Sequence, residues 1–332
     1  MTAAPARAAD LDLFKTALVA GMVATHVAQL LGEGLPDWVW RFTDFINLVT
    51  FSGFLLAFGI GVGAGGNRAK PLAERLVPAG LLLLACWLSS LAFAMLVERT
   101  PPGIGLLVDV VTLRRLFGWS EFLASFFALY LLLAVARGLL VRIATDAVAL
   151  GLAIALAIAS TWIEMNQGWP ATATIVGTRN FASFPLLAYL PWFLIGVRLG
   201  AAGGRVPAGW WLAALAATSA FALHLWQTGA LPGRFPPTAL WVMGAALPLA
   251  AYWAACRRIA QRTTPPWPVL LPGRYVLRFL VLSNLAIFAA RHLWDRPVTA
   301  VWSWLAVSAA LLLAIGAACA LARWRPRERA AA

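Results

Sequence analysis

The sequence predicts an all-α fold, a polytopic integral membrane bundle of about ten transmembrane helices in one domain, residues 1–332. Three observations carry this. First, 62% of the 332 residues are hydrophobic and only 12% are charged, against about 45–50% and 25% in soluble domains. Half the usual charge cannot wet the surface of a soluble globule of this size. Second, the apolar excess recurs along the whole chain in runs of about 20 residues, the length that crosses a bilayer core of about 30 Å. Third, the basic residues sort to one side of those runs.

The predicted spans are Phe14–Leu31, Thr43–Ala64, Arg75–Val97, Trp119–Leu140, Ile143–Trp162, Pro185–Ala202, Pro207–Trp226, Thr238–Cys256, Tyr275–Trp294 and Thr299–Arg323. Their connections are short and rich in Gly, Pro and Arg, as in Gly65–Glu74, Gly203–Val206 and Thr263–Gly273. The stretch Ile104–Phe117, after Pro101-Pro102-Gly103, is apolar but 14 residues long. That length suits an interfacial or re-entrant piece better than a span. With both termini cytoplasmic, 18 of the 26 basic residues face inward and carry the whole net charge of +13, as the positive-inside rule requires. Anionic headgroups attract that face, so nucleic-acid binding is not needed to explain a pI near 11. Arg outnumbers Lys 24 to 2, the usage of a GC-rich bacterial genome. The expected location is therefore the bacterial inner membrane.

Other classes are excluded. Cys86, Cys256 and Cys319 lie inside apolar runs, which gives no disulfide framework and no zinc-ligand spacing. No metal is expected. No GxxxxGK[ST] occurs, so nucleotide hydrolysis is not indicated. The N-terminus lacks a secretory cleavage signal, so the first apolar segment is expected to stay.

Ionisable residues in spans carry the functional information, because a charge at a helix centre costs about 2.5–3.5 kcal/mol even on lenient insertion scales. Lys15 and His26 share the first span. Eleven residues bring them about 20° past three full turns, on one face and about 16 Å apart along the axis. Lys15 lies at the cytoplasmic mouth, where it either anchors the helix or meets an anionic ligand; His26 lies in the outer third. Asp44 and Glu121 open spans at the level of His26 and would orient it as carboxylates do for a general base, or serve only as helix N-terminal charges. His224 and His292 stand beside Trp226 and Trp294, in the aromatic belt, and Asp295 follows His292. Ser52-Gly53 permits close helix approach. Arg75, three residues before Pro78, binds a phosphate or anchors its helix. The loop Glu164–Phe184 holds Asn166, Gln167, Trp169, Arg179 and Asn180, groups that suit a sugar ring.

These residues resemble the membrane acyltransferase-3 family of ten-helix bacterial proteins. That family opens with an Arg, ten residues and a His; here Lys15 and His26 keep the spacing with Lys for Arg. Phe51-Ser52-Gly53-Phe54-Leu55-Leu56 matches the aromatic-rich end of its second-helix motif. Leu72, Arg75 and Pro78 keep half of an Arg-x-x-Arg-x-x-Pro start. Tyr189-Leu190-Pro191-Trp192-Phe193-Leu194-Ile195-Gly196 is similar to a phenylalanine-glycine segment. Ser283-Asn284-Leu285-Ala286-Ile287-Phe288 with His292 is similar to a Ser-Leu-x-Ile-Tyr-x-x-His ending. Lys15 lacks the bidentate fork of Arg, and Asp44 stands two residues before the position of the family's second-helix Asp.

The resemblance implies an acyltransferase that moves an acyl group, typically acetyl, from cytoplasmic acyl-CoA to a hydroxyl of an extracytoplasmic glycan or lipid-linked sugar. It implies a donor site at Lys15 and Arg75, catalysis by His26 with Asp44 or Glu121, and an acceptor side that includes His292 and Ser52. The alternatives are a related membrane glucosamine N-acetyltransferase, a non-catalytic glycolipid transporter or flippase, and a structural partner subunit. A cavity shared by Lys15, His26 and Arg75 would separate the enzyme from the others.

Overall fold

A computed structural model describes residues 9–65, 71–163, 170–177, 184–294 and 296–329. The described residues form helices α1 (Ala9–Leu31), α2 (Asp37–Gly63), α3 (Leu72–Leu96), α4 (Ile104–Val111), α5 (Glu121–Thr145), α6 (Ala147–Ser160) and α7 (Pro170–Ala173). Then follow α8 (Leu186–Ala201), α9 (Ala208–Thr228), α10 (Ala239–Gly244), α11 (Ala246–Arg262), α12 (Trp267–Arg274), α13 (Val276–Leu293) and α14 (Val301–Arg329). Among them no β-strand forms; only isolated bridges occur. Eight helical segments are long and apolar enough to cross a membrane, counting α10 and α11 as one. The protein is thus a multi-pass helical membrane protein. Two shorter apolar helices, α6 and α8, occupy the places of the fifth and sixth predicted spans. The 14-residue stretch yields only the eight-residue α4, whose Leu106 and Val110 pack with Phe93 and Leu91 of α3.

α1 and α2 run antiparallel. Leu11 approaches Gly61, Leu18 approaches Gly53, and Ile46 approaches Gly21. α2 and α8 run parallel at very close range. A Cβ on Gly59 would fall on the Phe193 carbonyl oxygen and lie 2.8 Å from Val197 N. One on Gly63 would fall on the Val197 carbonyl and lie 2.9 Å from Ala201 N. Gly196 and Gly200 are blocked in turn by the carbonyls of Leu56 and Ile60. Two small-xxx-small stripes therefore form one seam, the arrangement by which helices associate where lipid removes the hydrophobic drive. This seam lies below Ser52-Gly53, the pair that sequence reading picked for close approach.

The eighth predicted span is two helices joined at Ala245. Pro248 has no N–H to offer the Gly244 carbonyl four residues back. The Thr218 hydroxyl of α9 donates to that carbonyl at 2.9 Å and accepts from Leu247 N at 3.0 Å. One side chain thus repairs the break and ties α9 to α11.

α12 occupies a segment read from sequence as a connection. It docks on the start of α1 so closely that a Cβ on Gly273 would fall on the Asp12 carbonyl. Thr16 Oγ1 donates to the Val269 carbonyl at 2.9 Å and accepts from Gly273 N at 3.0 Å. The far end of α1 is held by α14, where Trp304 Nε1 donates to the Ala24 carbonyl at 2.8 Å. α1 is therefore fixed along its length, which positions the residues below. The two ends of the bundle are called the Lys15 end and the His26 end.

Candidate active site

His26 is buried on α1 and makes two defined contacts. Its Nδ1 lies 2.9 Å from Asn284 Oδ1 of α13. Its ring stacks on Trp119, with centroids 3.7 Å apart and planes at 13°. Since an amide oxygen only accepts, Nδ1 carries the proton and donates, which leaves Nε2 with its lone pair. Trp119 adopts φ +60°, a left-handed conformation that is a genuine outlier for a bulky residue. Strain of this kind persists where the surroundings over-determine it; here it lays the indole flat against the imidazole.

His26 lines a cavity of about 50 Å³ with Thr25, Asn47, Thr50, Phe122 and Arg234 among its other walls. The aromatic wall is fixed by Ser125, whose hydroxyl donates to the Phe184 carbonyl, and by Phe51 at 4.5 Å from the Phe184 ring. Arg234 comes from the α9–α10 connection. Its guanidinium sits 4.7 Å over the Phe235 ring and 5.7 Å from that of Phe184. Burial pushes its pKa below the ordinary arginine value, against the opposing pull of Tyr189, Glu121 and Asp44. Three buried polar atoms around His26 have no hydrogen-bond partner: Thr25 Oγ1, Arg234 Nε and Asn284 Nδ2. Buried polar groups are nearly always paired. A hydroxyl and two N–H donors left open about one imidazole therefore mark a place for a polar ligand.

The predicted residues divide. His26 and Glu121 come to the same end, but neither predicted carboxylate bonds the imidazole; the neutral amide of Asn284 takes that position. Asn284 fixes the tautomer without supplying a counter-charge. Asp44 does not open its helix, because α2 begins at Asp37 and places Asp44 in its second turn, exposed. Glu121 is half-buried at the start of α5, and both acids act electrostatically on Arg234. Ser52 is fully buried with an unpartnered hydroxyl, but it is not a wall of the His26 cavity. His292 is exposed, with Nδ1 3.2 Å from the Leu96 carbonyl at the end of α3. It belongs to the rim. His224 is half-buried on α9, the least buried of the spanning helices.

At the opposite end Lys15 is committed to a neighbour. Its Nζ lies 3.0 Å from Asp12 Oδ1, while Arg274 Nε lies 3.0 Å from Asp12 Oδ2. Asp12 is 1% exposed, so this three-residue charge cluster locks α12 to α1. Arg75 differs: its Nε is buried and has no hydrogen-bond partner. Neither Lys15 nor Arg75 lines the His26 cavity, so among the described residues the shared cavity that would favour an enzyme over a transporter or a partner subunit is not found. Asn166, Gln167, Trp169, Arg179, Asn180 and Asp295 lie outside the described residues.

Sequence reading missed Arg234, counting it only as an outer cation, and gave Asn284 no role beyond its motif. A buried amide in an apolar helix was the available signal for Asn284. Asp44, Asn47 and Thr50 at helical spacing were the available signal for the polar face of α2. No protein-family model, no curated protein and no solved structure matches the chain.

Proposed function

We propose that the protein is a membrane-embedded acyltransferase, in which His26 activates an acceptor hydroxyl on the extracytoplasmic side and the acyl group comes from a coenzyme A thioester. The observation that supports this best is the imidazole with Nδ1 bonded to Asn284, lining one cavity with Thr25 and Arg234, each of which carries a buried polar atom without a hydrogen-bond partner. Nε2 takes the proton of the acceptor hydroxyl as its oxygen attacks the thioester carbon. The open N–H of Arg234 donates to the oxyanion that develops, where a fixed donor in a dry site has its largest effect. The C–S bond then breaks, and the departing thiolate takes the proton from His26. A cavity of about 50 Å³ admits an acetyl group or a hydroxymethyl arm rather than a whole sugar, so the bulk of the acceptor stays at the rim.

Donor phosphates are assigned to Arg75 and not to Lys15, which Asp12 holds. On this reading ten crossings place both termini in the cytoplasm, with α6 and α8 as short spans. Acetyl-CoA labelled in its acetyl group, supplied with envelope glycan extract to protein in nanodiscs, tests the reading. Label passes to the extract with wild type and not with His26→Ala; undiminished transfer by a folded His26→Ala protein overturns it. Arg75→Gln is expected to raise KM for the donor with little change in kcat.

A further inference from the structure

A second site stands at the Lys15 end, away from His26. An open depression of about 460 Å³, the chamber, is lined by Arg205, Arg257, Arg258, Gln261 and Trp211, with no carboxylate among the described residues of its walls. Val206 and Trp253 also line an adjoining apolar groove of about 360 Å³. Trp253 forms the partition, held by its Nε1 donating to the Gly204 carbonyl at 2.8 Å. Gly204, at φ +78°, leaves room there: a Cβ would come within 3.1 Å of both Trp253 Cζ2 and Arg257 Nη1. The groove runs along α8 from Leu199 to Trp192 and along α11 from Trp253 to Ala246, about 10 Å of helix axis in each case. It lies between α6, which packs on α5 and α8, and α9, which packs on α10 and α11, so it opens sideways between two outer helices.

We propose that chamber and groove together bind one anionic phospholipid of the adjacent leaflet, its phosphate on Arg205, Arg257 and Arg258 and an acyl chain in the groove. Charge complementarity selects the headgroup, because three guanidiniums share a chamber with no acid among the described residues and arginine forks match phosphate oxygens. The groove selects a lipid over a soluble phosphate. Its depth of about 10 Å, less than the roughly 15 Å of one leaflet's hydrocarbon, takes most of one chain and leaves the rest in the bilayer. Trp210 and Trp211 beside the junction mark the interfacial level at which a headgroup sits.

Thermal unfolding of the full chain in neutral detergent, titrated with phosphatidylglycerol, phosphatidylcholine or glycerol 3-phosphate, tests the proposal. Phosphatidylglycerol is expected to raise Tm saturably, and the other two are not. Arg257→Gln and Arg258→Gln are each expected to weaken the apparent affinity for phosphatidylglycerol roughly fivefold, with Arg257→Lys nearer wild type. Ala213→Phe, at an exposed groove position, is expected to weaken it as well and keeps the test open if an arginine variant does not fold. An equal response to phosphatidylcholine overturns the proposal. A full response to glycerol 3-phosphate alone replaces the lipid with a soluble phosphate ligand. A phosphatidylglycerol response unchanged in the folded variants also overturns it.

Discussion

Gly59→Ala adds one methyl group at the α2–α8 seam, and the geometry fixes its consequence. The new Cβ would fall on the Phe193 carbonyl oxygen and stand 2.8 Å from Val197 N and 2.9 Å from the Gly196 Cα. Carbon and carbonyl oxygen settle at about 3.3–3.6 Å, so the helices must part by on the order of 1 Å. The obstructing atoms belong to helix backbone on both sides, and no side chain can rotate away. Overpacking costs about 1–3 kcal/mol, and a rigid obstacle places this case near the top of that range. At about 2.1 cal/mol/K of unfolding entropy per residue, the 332-residue chain shifts by roughly 1–2 °C per kcal/mol, so the fall in Tm is about 3–5 °C. Gly61→Ala is the control on the same helix. Its Cβ meets only Leu11 Cδ2, at 3.8 Å, while replacing a mid-helix glycine gains about 0.5–1 kcal/mol. The two variants should therefore move Tm in opposite directions in the same detergent. Equal shifts would refute the argument that α2 and α8 touch through backbone. The seam also bears on the site, because α2 carries Asn47, Thr50 and Phe51 into the cavity beside His26.

Three further outcomes are expected. Asn284→Leu removes the acceptor of the His26 N–H and frees the tautomer, so acyl transfer should fall on the order of 10²-fold, the scale of general-base catalysis, with insertion retained; unchanged kcat would contradict the assigned tautomer. Asp12→Leu leaves Lys15 and Arg274 without the carboxylate they share, and losing hydrogen bonds to charged groups in this partly buried cluster costs about 1.5–3 kcal/mol; thermal unfolding should show a loss comparable to that of Gly59→Ala. Arg234→Gln should lower kcat with little change in donor KM, because its open Nε is assigned to the oxyanion; the reverse split in steady-state kinetics would move Arg234 to donor binding.

Much of the helical framework was legible because apolar length announces a crossing. α1, α3, α9, α13 and α14 start within a few residues of the predicted spans. α2 starts six residues earlier than expected, at Asp37, since helix continues past the apolar run into the exposed Trp38 and Arg41. α12 was read as a connection because Pro268 and Pro272 break its eight-residue pattern; its identity as a helix depends on docking against α1. The ion cluster followed the same logic. Asp12 lies before the predicted span, which starts at Phe14, so its place one turn from Lys15 on α1 is seen only in the structure, and Arg274 meets both only through the fold. At the site, His26 stood out by its cost in a membrane. Asn284 and Arg234 did not, because the fold brings them to His26 from more than 200 residues away along the chain and no periodicity encodes that approach. The seam of Gly59, Gly63, Gly196 and Gly200 was written in the sequence as spacing, but which stripe faced which had to come from the structure.

If His26 performs the chemistry, thioester cleavage depends on its imidazole. Acetyl-CoA hydrolysis by purified wild type and His26→Ala in nanodiscs, with and without envelope glycan extract, separates the outcomes. An extract-stimulated rate is expected in wild type, and its loss in a variant of unchanged Tm. An equal rate in the variant, or no cleavage by well-folded wild type in the presence of extract, would contradict it.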